Sequence, residues 1–569
     1  MDKRWVIREI PAENRISALA AGVNVSHPLA ALLLQRGVDD FDQAKAFFRP
    51  LLAQLHDPFL MKDMDKAVWR IEEAIRNREK ILVYGDYDVD GTTAVALVYG
   101  FLKQYYHHLA FYTPDRNAEG YGISITGIDW AKDQGIGLII SLDCGIKANK
   151  QVLYAKQLGI DFLICDHHRP GDELPHAHAV LDPKRGDCDY PYKELSGCGV
   201  GFKLMQAFAL SNGLPVERLL SFLDLVAVSI AADIVPITGE NRVMAHFGLQ
   251  QINSNPRPGL RALIDVSDLR GEVEVGNIVF GIAPRINAVG RVAHASHAIK
   301  LLLAENMQEA VALAAVANSN NEERRGFDSN ITAEAIRMIE GRANTEARST
   351  VLFKNDWHKG VIGIVAARCI ERFYRPTVIL TESNAKATGS ARSVIGFDIY
   401  EAIAECADLL EQYGGHMYAA GLTLPLNNVA AFQERFEQVV AGQIRQEHLT
   451  PQLDVDQEIH LSQISFKFYN IIHQMAPFGP ANMQPVFVSR RVVAENPPRI
   501  LKDIHLKFAV KQAGSIGFDA IGFNLAAFHD VVDKGQFFDI CYIINENEYK
   551  GRKNLQLVIK DIKKSESAA

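Results

Sequence analysis

The chain has 569 residues, a formal net charge of −8 and 48% hydrophobic residues, which excludes a disordered polyelectrolyte and leaves room for about three packed domains. The acidic balance means that any contact with nucleic acid has to come from local basic patches. Cys144, Cys165, Cys188, Cys198, Cys369, Cys406 and Cys541 form no CxxC pair, which fits a reducing compartment better than a disulfide frame or a zinc site.

The start, Met1-Asp-Lys-Arg-Trp5, lacks the apolar core of a signal peptide, and residues 1–60 read as a helical segment without evident chemistry. From Lys80 to about Lys184 strand-like and helix-like segments alternate. Ile81–Tyr84, Leu109–Tyr112, Leu138–Leu142, Phe162–Cys165 and Ala179–Leu181 read as strands; Thr92–Tyr105 and Asn149–Leu158 read as helices. This rhythm predicts an α/β domain over 61–240 with a doubly wound, mostly parallel sheet, in which ligands bind beyond the carboxyl ends of the strands. The longest apolar stretch, Leu219 to Ile237, contains Asp224 and Asp233, which would be costly in lipid, so a cytoplasmic protein without a membrane span is expected.

Residues 241–345 read as a helical connection, with the Gly-rich stretch Phe280–Arg291 expected to be a loop facing the site. Strand-like runs resume at Thr350–Lys354 and Pro376–Thr381, predicting a second, smaller α/β domain over 346–450. Residues 451–565 alternate apolar and polar positions between turn signals, which predicts an OB-like β-barrel that binds single strands. In that last region Arg490, Arg491, Arg499, Lys502, Lys507 and Lys511 outnumber Glu495 and Asp503. With Phe487 and Phe508 interleaved, the pattern suits phosphate tracking plus base stacking.

The chemistry concentrates at the ends of predicted strands. Asp86, Asp88 and Asp90 follow the first, Asp143 ends Leu138-Ile-Ile-Ser-Leu142, and Asp166-His167-His168 follows Phe162-Leu-Ile-Cys165. Carboxylates this dense repel one another, and a divalent cation offsets that most simply. Imidazole in the set points to Mn²⁺ joining or replacing Mg²⁺. An EF-hand calcium loop also opens Asp-x-Asp-x-Asp-Gly, but it needs a bidentate Glu at position 12, which here is Leu97, and a helix leading in rather than a strand.

Asp86-Tyr-Asp88-Val-Asp90-Gly91, Ser141-Leu-Asp143-Cys-Gly145, Cys165-Asp-His-His-Arg-Pro170 and Ala231-Ala-Asp233-Ile-Val-Pro236 together resemble the DHH phosphoesterase superfamily. Gly414-Gly-His416-Met-Tyr-Ala-Ala-Gly421 is similar to the GGH motif of the associated DHHA1 domain. Leu33-Leu-Gln-Arg36-Gly37, Ala476-Pro-Phe-Gly479 and Leu557-Val-Ile-Lys-Asp561-Ile562 are similar to the RecJ family of bacterial single-strand exonucleases. The resemblance implies two divalent ions, Mn²⁺ or Mg²⁺, held by Asp88, Asp90, Asp143, His167 and Asp233. Asp143 would bridge them, and Asp86 would add a ligand or hold the loop. His168 would sit beside the scissile phosphate. Tyr84 stands where related pyrophosphatases carry a metal-binding His, a departure that argues against a pyrophosphatase.

The same resemblance places Arg116 on a phosphate of the DNA end and Tyr121 on a base. It makes Ser390 and Arg392 a 5′-phosphate pocket and sets His416 beside a phosphate. It implies a 5′→3′ exonuclease that degrades single-stranded DNA to mononucleotides in recombination and repair, working with a helicase and single-strand-binding protein. The rivals are a DHH phosphodiesterase for short oligonucleotides or cyclic dinucleotides, and a non-catalytic DNA-binding scaffold.

Overall fold

The structure, a computed structural model, describes residues 2–116, 118–292, 294–341, 346–532, 535–549 and 551–565. The chain divides into two compact units. One comprises Glu13–Asn321 with Ile471–Gln484, the other Met1–Ala12, Glu322–Asn470 and Pro485–Ala569.

The first unit is built on five parallel strands in the spatial order Leu109–Tyr112, Lys80–Gly85, Ile136–Leu142, Asp161–Cys165, Ala179–Leu181. Their near-continuous Ile, Leu and Val content reflects burial on both faces. The helices Val89–Leu102, Gly197–Ser211 and Leu223–Ala232 cover one face, and Ile125–Asp133 with Asn149–Gln157 cover the other. In chain sequence the strand order is 2-1-3-4-5, so the winding reverses between Lys80–Gly85 and Ile136–Leu142. A ligand crevice opens beyond the carboxyl ends at that reversal. The helix predicted from Thr92 begins at Val89 because Asp88 is its N-cap and accepts the Gly91 N–H at 3.0 Å.

The expected loop at Phe280–Arg291 is helical instead. A π turn over Ile278–Ile282 runs directly into the α-helix Ala283–Val292. The widened turn accommodates Pro284, whose ring and missing N–H would disrupt an ordinary helical ladder. The glycines serve packing: a Cβ at Gly290 would lie 3.0 Å from the Tyr87 carbonyl oxygen, and one at Gly281 would lie 3.2 Å from Leu269.

In the second unit one sheet has the order Gln412–His416, Ala419–Pro425, Lys386–Arg392, Thr377–Ser383, Thr350–Phe353, parallel between the last two strands and antiparallel elsewhere. The terminal sheet closes into a barrel. Its ring runs Phe487–Ala494, Phe538–Tyr549, Arg552–Lys564, Phe518–Gly522 and His505–Lys511, and Val493 and Ala494 pair back to Lys511 and Val510. Arg499–Leu501 adds an edge strand to His505–Lys511. The N-terminal helices appear as Glu13–Val23, His27–Leu34 and Phe41–Phe48, but Arg4–Ile7 is a strand. It pairs in parallel with Gln452–Val455, and Trp5 Nε1 donates to Asp561 Oδ2 at 2.6 Å.

Phe487 and Phe508 are not available to bases. Both are buried inside the barrel, Phe487 against Phe468 and Tyr542 and Phe508 against Phe538. The strand alternation that carries Lys507 and Lys511 outward turns Phe508 inward. Among the described residues no single helix is long and apolar enough to cross a membrane. Glu13–Val23 and His27–Leu34 reach that length and composition only as a pair bent by 106°. All seven cysteines are free and buried.

Candidate metal centre and phosphate pocket

The crevice at the sheet reversal collects the acidic side chains. Asp86 follows the strand Lys80–Gly85, Asp88 and Asp90 lie at the start of the next helix, Asp143 follows Ile136–Leu142 and Asp166–His168 follow Asp161–Cys165. Asp233 ends the helix Leu223–Ala232. His167 Nε2 lies 3.1 Å from Asp143 Oδ1 and 3.6 Å from both Asp90 Oδ2 and Asp233 Oδ2. Asp90, His167 and Asp233 form one set of converging ligand atoms, and Asp143, His167 and His168 a second. Asp86 and Asp88 belong to neither set, although burial raises both, with Asp88 repelling Asp86 and Asp90 repelling Asp88.

The donor set fits divalent cations. Burial, reinforced by neighbouring carboxylates, raises Asp143 and Asp88 above the usual carboxylate range and pushes Asp86 and Asp233 to about 8. Among the described residues Asp86 Oδ2 is buried without a hydrogen-bond partner. Such a cluster is stabilised when positive charge enters it. Burial also lowers His167, which keeps its imidazole neutral and able to ligate.

The two histidines stand in different environments. Asp166 accepts the backbone N–H groups of Ile146, His167 and His168, and its Oδ1 lies 2.7 Å from His168 Nδ1. Burial alone would raise Asp166, but these bonds and the histidine charges bring it down to about 2. Burial opposes charge on His168, yet the bond to Asp166 lifts it to about 9. The other ring nitrogen of His168 lies 3.3 Å from the Tyr121 hydroxyl, which also donates to the Asp143 carbonyl at 3.2 Å. Arg116 lies over the Tyr87 ring at 4.9 Å. Tyr84 is fully buried, with its hydroxyl donating to the Gly122 carbonyl and accepting from the Ser124 N–H, so it closes a loop and offers nothing to the centre.

Three supports were not read from the sequence. Gly197 and Cys198 N–H groups and the Ser229 hydroxyl all donate to Asp90, at 2.7, 2.8 and 2.7 Å. A Cβ at Gly197 would lie 2.6 Å from Asp143 Cβ, so the Gly-rich run Gly197-Cys-Gly-Val-Gly201 was the available signal. Asp143 itself adopts φ 59°, strain of a kind that clusters at functional sites.

In the second unit Ser390 and Arg392 lie on the strand Lys386–Arg392, and Arg392 Nη1 donates to Ser390 Oγ at 3.1 Å and to the Ala391 carbonyl at 2.8 Å. Among the described residues no carboxylate pairs with Arg392, and burial lowers its guanidinium. Both groups face Gly363, where a Cβ would lie 2.9 Å from Ser390 Oγ and 3.0 Å from Arg392 Nη2. Gly363 is in the first turn of the helix Ile362–Phe373, whose amide end favours anions. His416 is exposed at the end of the strand Gln412–His416, and its Nδ1 accepts the Tyr418 N–H at 3.3 Å. Asp86, Asp88, Asp90, Asp143, His167, His168, Asp233, Arg116 and Tyr121 thus lie in one unit, and Ser390, Arg392 and His416 in the other.

A carboxylate–imidazole cluster at the reversal of a parallel sheet, in a chain with a second α/β domain and a β-barrel, suits metal-assisted chemistry on a phosphoester. Residues 80–230 match the profile of the DHH family, N-terminal domain, 346–442 that of the DHHA1 domain and 455–561 that of the RecJ OB domain. The single-stranded-DNA-specific exonuclease RecJ of Bacillus subtilis (strain 168) is 38% identical over 568 residues, covering 99% of this chain and 71% of its own. RecJ of Thermus thermophilus in complex with Mn²⁺ superposes with a TM-score of 0.83 at 27% identity, over 99% of this chain and 80% of its own. Its Mg²⁺ complex superposes with a TM-score of 0.78 at 26% identity, over 99% and 79%. The chain belongs to the RecJ family.

Proposed function

We propose that this chain is a divalent-metal-dependent exonuclease that digests single-stranded DNA from its 5′ end to mononucleotides, in recombination and repair. The convergence of Asp90, Asp143 and Asp233 on His167 Nε2, within a chain of the RecJ family, is the observation that carries the reading. Asp88, Asp90, Asp143, His167 and Asp233 would hold Mn²⁺ or Mg²⁺, with Asp143 as the bridging ligand, and Asp86 would add a ligand or support the loop. When bound, the ions supply Lewis-acid stabilisation of the phosphoryl group and activation of the attacking water.

The protein's own groups do the rest. Asp166 holds His168 as an imidazolium, which presents positive charge and a proton to the scissile phosphate. Tyr121 keeps a ring at the centre through its hydroxyl, as a stacking face for a base, and Arg116 takes a phosphate. Ser390 and Arg392 hold the terminal 5′-phosphate, with His416 as a further phosphate contact. The protein works in the cytoplasm, with single-strand-binding protein and a repair helicase as partners.

Among the described residues Arg499, Lys502 and Lys507 of the barrel have no acidic partner, which favours long strands over the dinucleotides of other DHH phosphodiesterases. Asp143→Ala tests the reading on an end-labelled single strand in Mn²⁺. Cleavage should be abolished while strand binding, spread over many phosphate and stacking contacts, largely survives. Turnover of this variant at the wild-type rate would remove the bridging role of Asp143. A wild-type chain inert in Mn²⁺ and in Mg²⁺ would leave the scaffold reading.

A further inference from the structure

Ile234 directly follows Asp233 and adopts φ 60°. For a β-branched side chain the left-handed region is a real outlier, since Cβ crowds the backbone there. The segment is pinned on both sides. The Asp233 N–H bonds the Ser229 carbonyl at 2.9 Å, and the Ile237 N–H bonds the Pro480 carbonyl at 2.8 Å. Val235 and Ile237 are buried in the core. The turn at Ile234 therefore lets the helix end at Asp233, with its carboxylate 3.6 Å from His167 Nε2, before the chain descends into the core.

That geometry explains the turn but not the side chain, because glycine or asparagine would make the same turn with less strain. Packing does not repay the cost either. Ile234 is 63% exposed, whereas its apolar neighbours at 235 and 237 are buried. Strain of this kind clusters at functional sites. The rest of the centre offers carboxylates, imidazoles and the Tyr121 ring, so a branched apolar surface beside Asp233 is complementary to something other than phosphate.

We propose that Ile234 is a substrate contact: its side chain packs against the base of the nucleotide being released and orients that nucleotide at the metal centre. This rests on the exonuclease reading and adds to it an aliphatic contact with the base, distinct from the Tyr121 stacking face and from the groups that act on phosphate. Since any base has an apolar face, the contact is tolerant of sequence.

Wild type, Ile234→Gly and Ile234→Asn, both replacements suited to the left-handed turn, are compared in Mn²⁺ on 5′-phosphorylated single strands. One strand carries an ordinary terminal nucleotide and the other an abasic one. Thermal melting and Mn²⁺ titration accompany the rates. Wild type should prefer the ordinary end, and both variants should lose about tenfold in kcat/KM on it while changing little on the abasic end. Melting temperature should hold or rise as strain is relieved, Mn²⁺ affinity should be unchanged, and Ile234→Val should keep most of the preference. An unchanged ratio in both variants, or a collapsed ratio accompanied by lost Mn²⁺ affinity, overturns the assignment. Wild type that digests neither strand defeats the exonuclease reading itself, which separates the two failures.

Discussion

At the scale of single residues, two adjacent imidazoles are pushed in opposite directions because their surroundings differ. His167 is buried, its Nε2 faces Asp90, Asp143 and Asp233, and burial holds it neutral. His168 is half-exposed and tethered through Nδ1 to Asp166, which accepts three backbone N–H groups besides. His168→Ala should therefore lower turnover by about 10²–10³, the usual cost of one preorganised electrostatic stabiliser, while Mn²⁺ stoichiometry stays at the wild-type value. His167→Ala should lose Mn²⁺ as well as activity. Metal analysis of both purified variants decides the matter, and the opposite pattern would exchange the two roles. Residue types alone pointed to metal at these positions, since three strand ends carried ligands. Beyond the glycine run at 197–201, the Asp90 supports were not legible, because Gly197, Cys198 and Ser229 lie more than a hundred residues from Asp90 in the chain and only folding brings them to it.

At the scale of elements, the strand Lys386–Arg392 and the helix Ile362–Phe373 frame the proposed phosphate pocket between them. Ser390 and Arg392 could be picked out from a Gly-Ser-Ala-Arg-Ser string. Gly363 could not, because its role is the clearance it leaves for two side chains of another element. Arg392→Ala should cut the preference for 5′-phosphorylated over 5′-hydroxyl strands about ten- to hundredfold, the worth of a charged hydrogen bond of roughly 1.5–3 kcal/mol. Gly363→Ala should move the same ratio in the same direction without removing any charge, because the added Cβ must displace Ser390 Oγ or Arg392 Nη2. Rates on both strand types measure this, and a ratio unchanged in Arg392→Ala would place the end sensor elsewhere. Periodicity located the strands well. It misjudged Phe280–Arg291, where glycine and proline look like loop punctuation but serve helix packing and a π turn.

At the scale of the whole molecule, order along the chain and membership of a compact unit differ. Ile471–Gln484, expected within the terminal domain, belongs to the unit that holds the candidate metal centre. Arg242 donates to the carbonyls of Met475, Ala476 and Pro477, and Arg36 bonds Asn482 Oδ1 at 3.1 Å and the Met483 carbonyl at 2.9 Å. A chain cut after residue 450 should thus lose thermal stability and all activity, whatever the barrel does with DNA, so truncation is a poor test of the barrel. Substitution is a better one. Arg490 is engaged by Glu458 and Asp539, and Lys511 by Glu495, but among the described residues Arg499, Lys502 and Lys507 have no acidic partner. Arg499 and Lys507 are register partners on the edge strand and its neighbour, and like charges set directly opposite destabilise a sheet. Phosphates of a bound strand would offset that repulsion. Replacing all three by Ala should leave the barrel as stable or slightly more so in thermal melting. It should also reduce the slope of log K against log salt for a long single strand by about 2, at roughly 0.7 per phosphate contact. Cleavage of a dinucleotide, which is too short to span a barrel site, should proceed at the wild-type rate. A slope that does not change would remove this edge from the path of the DNA.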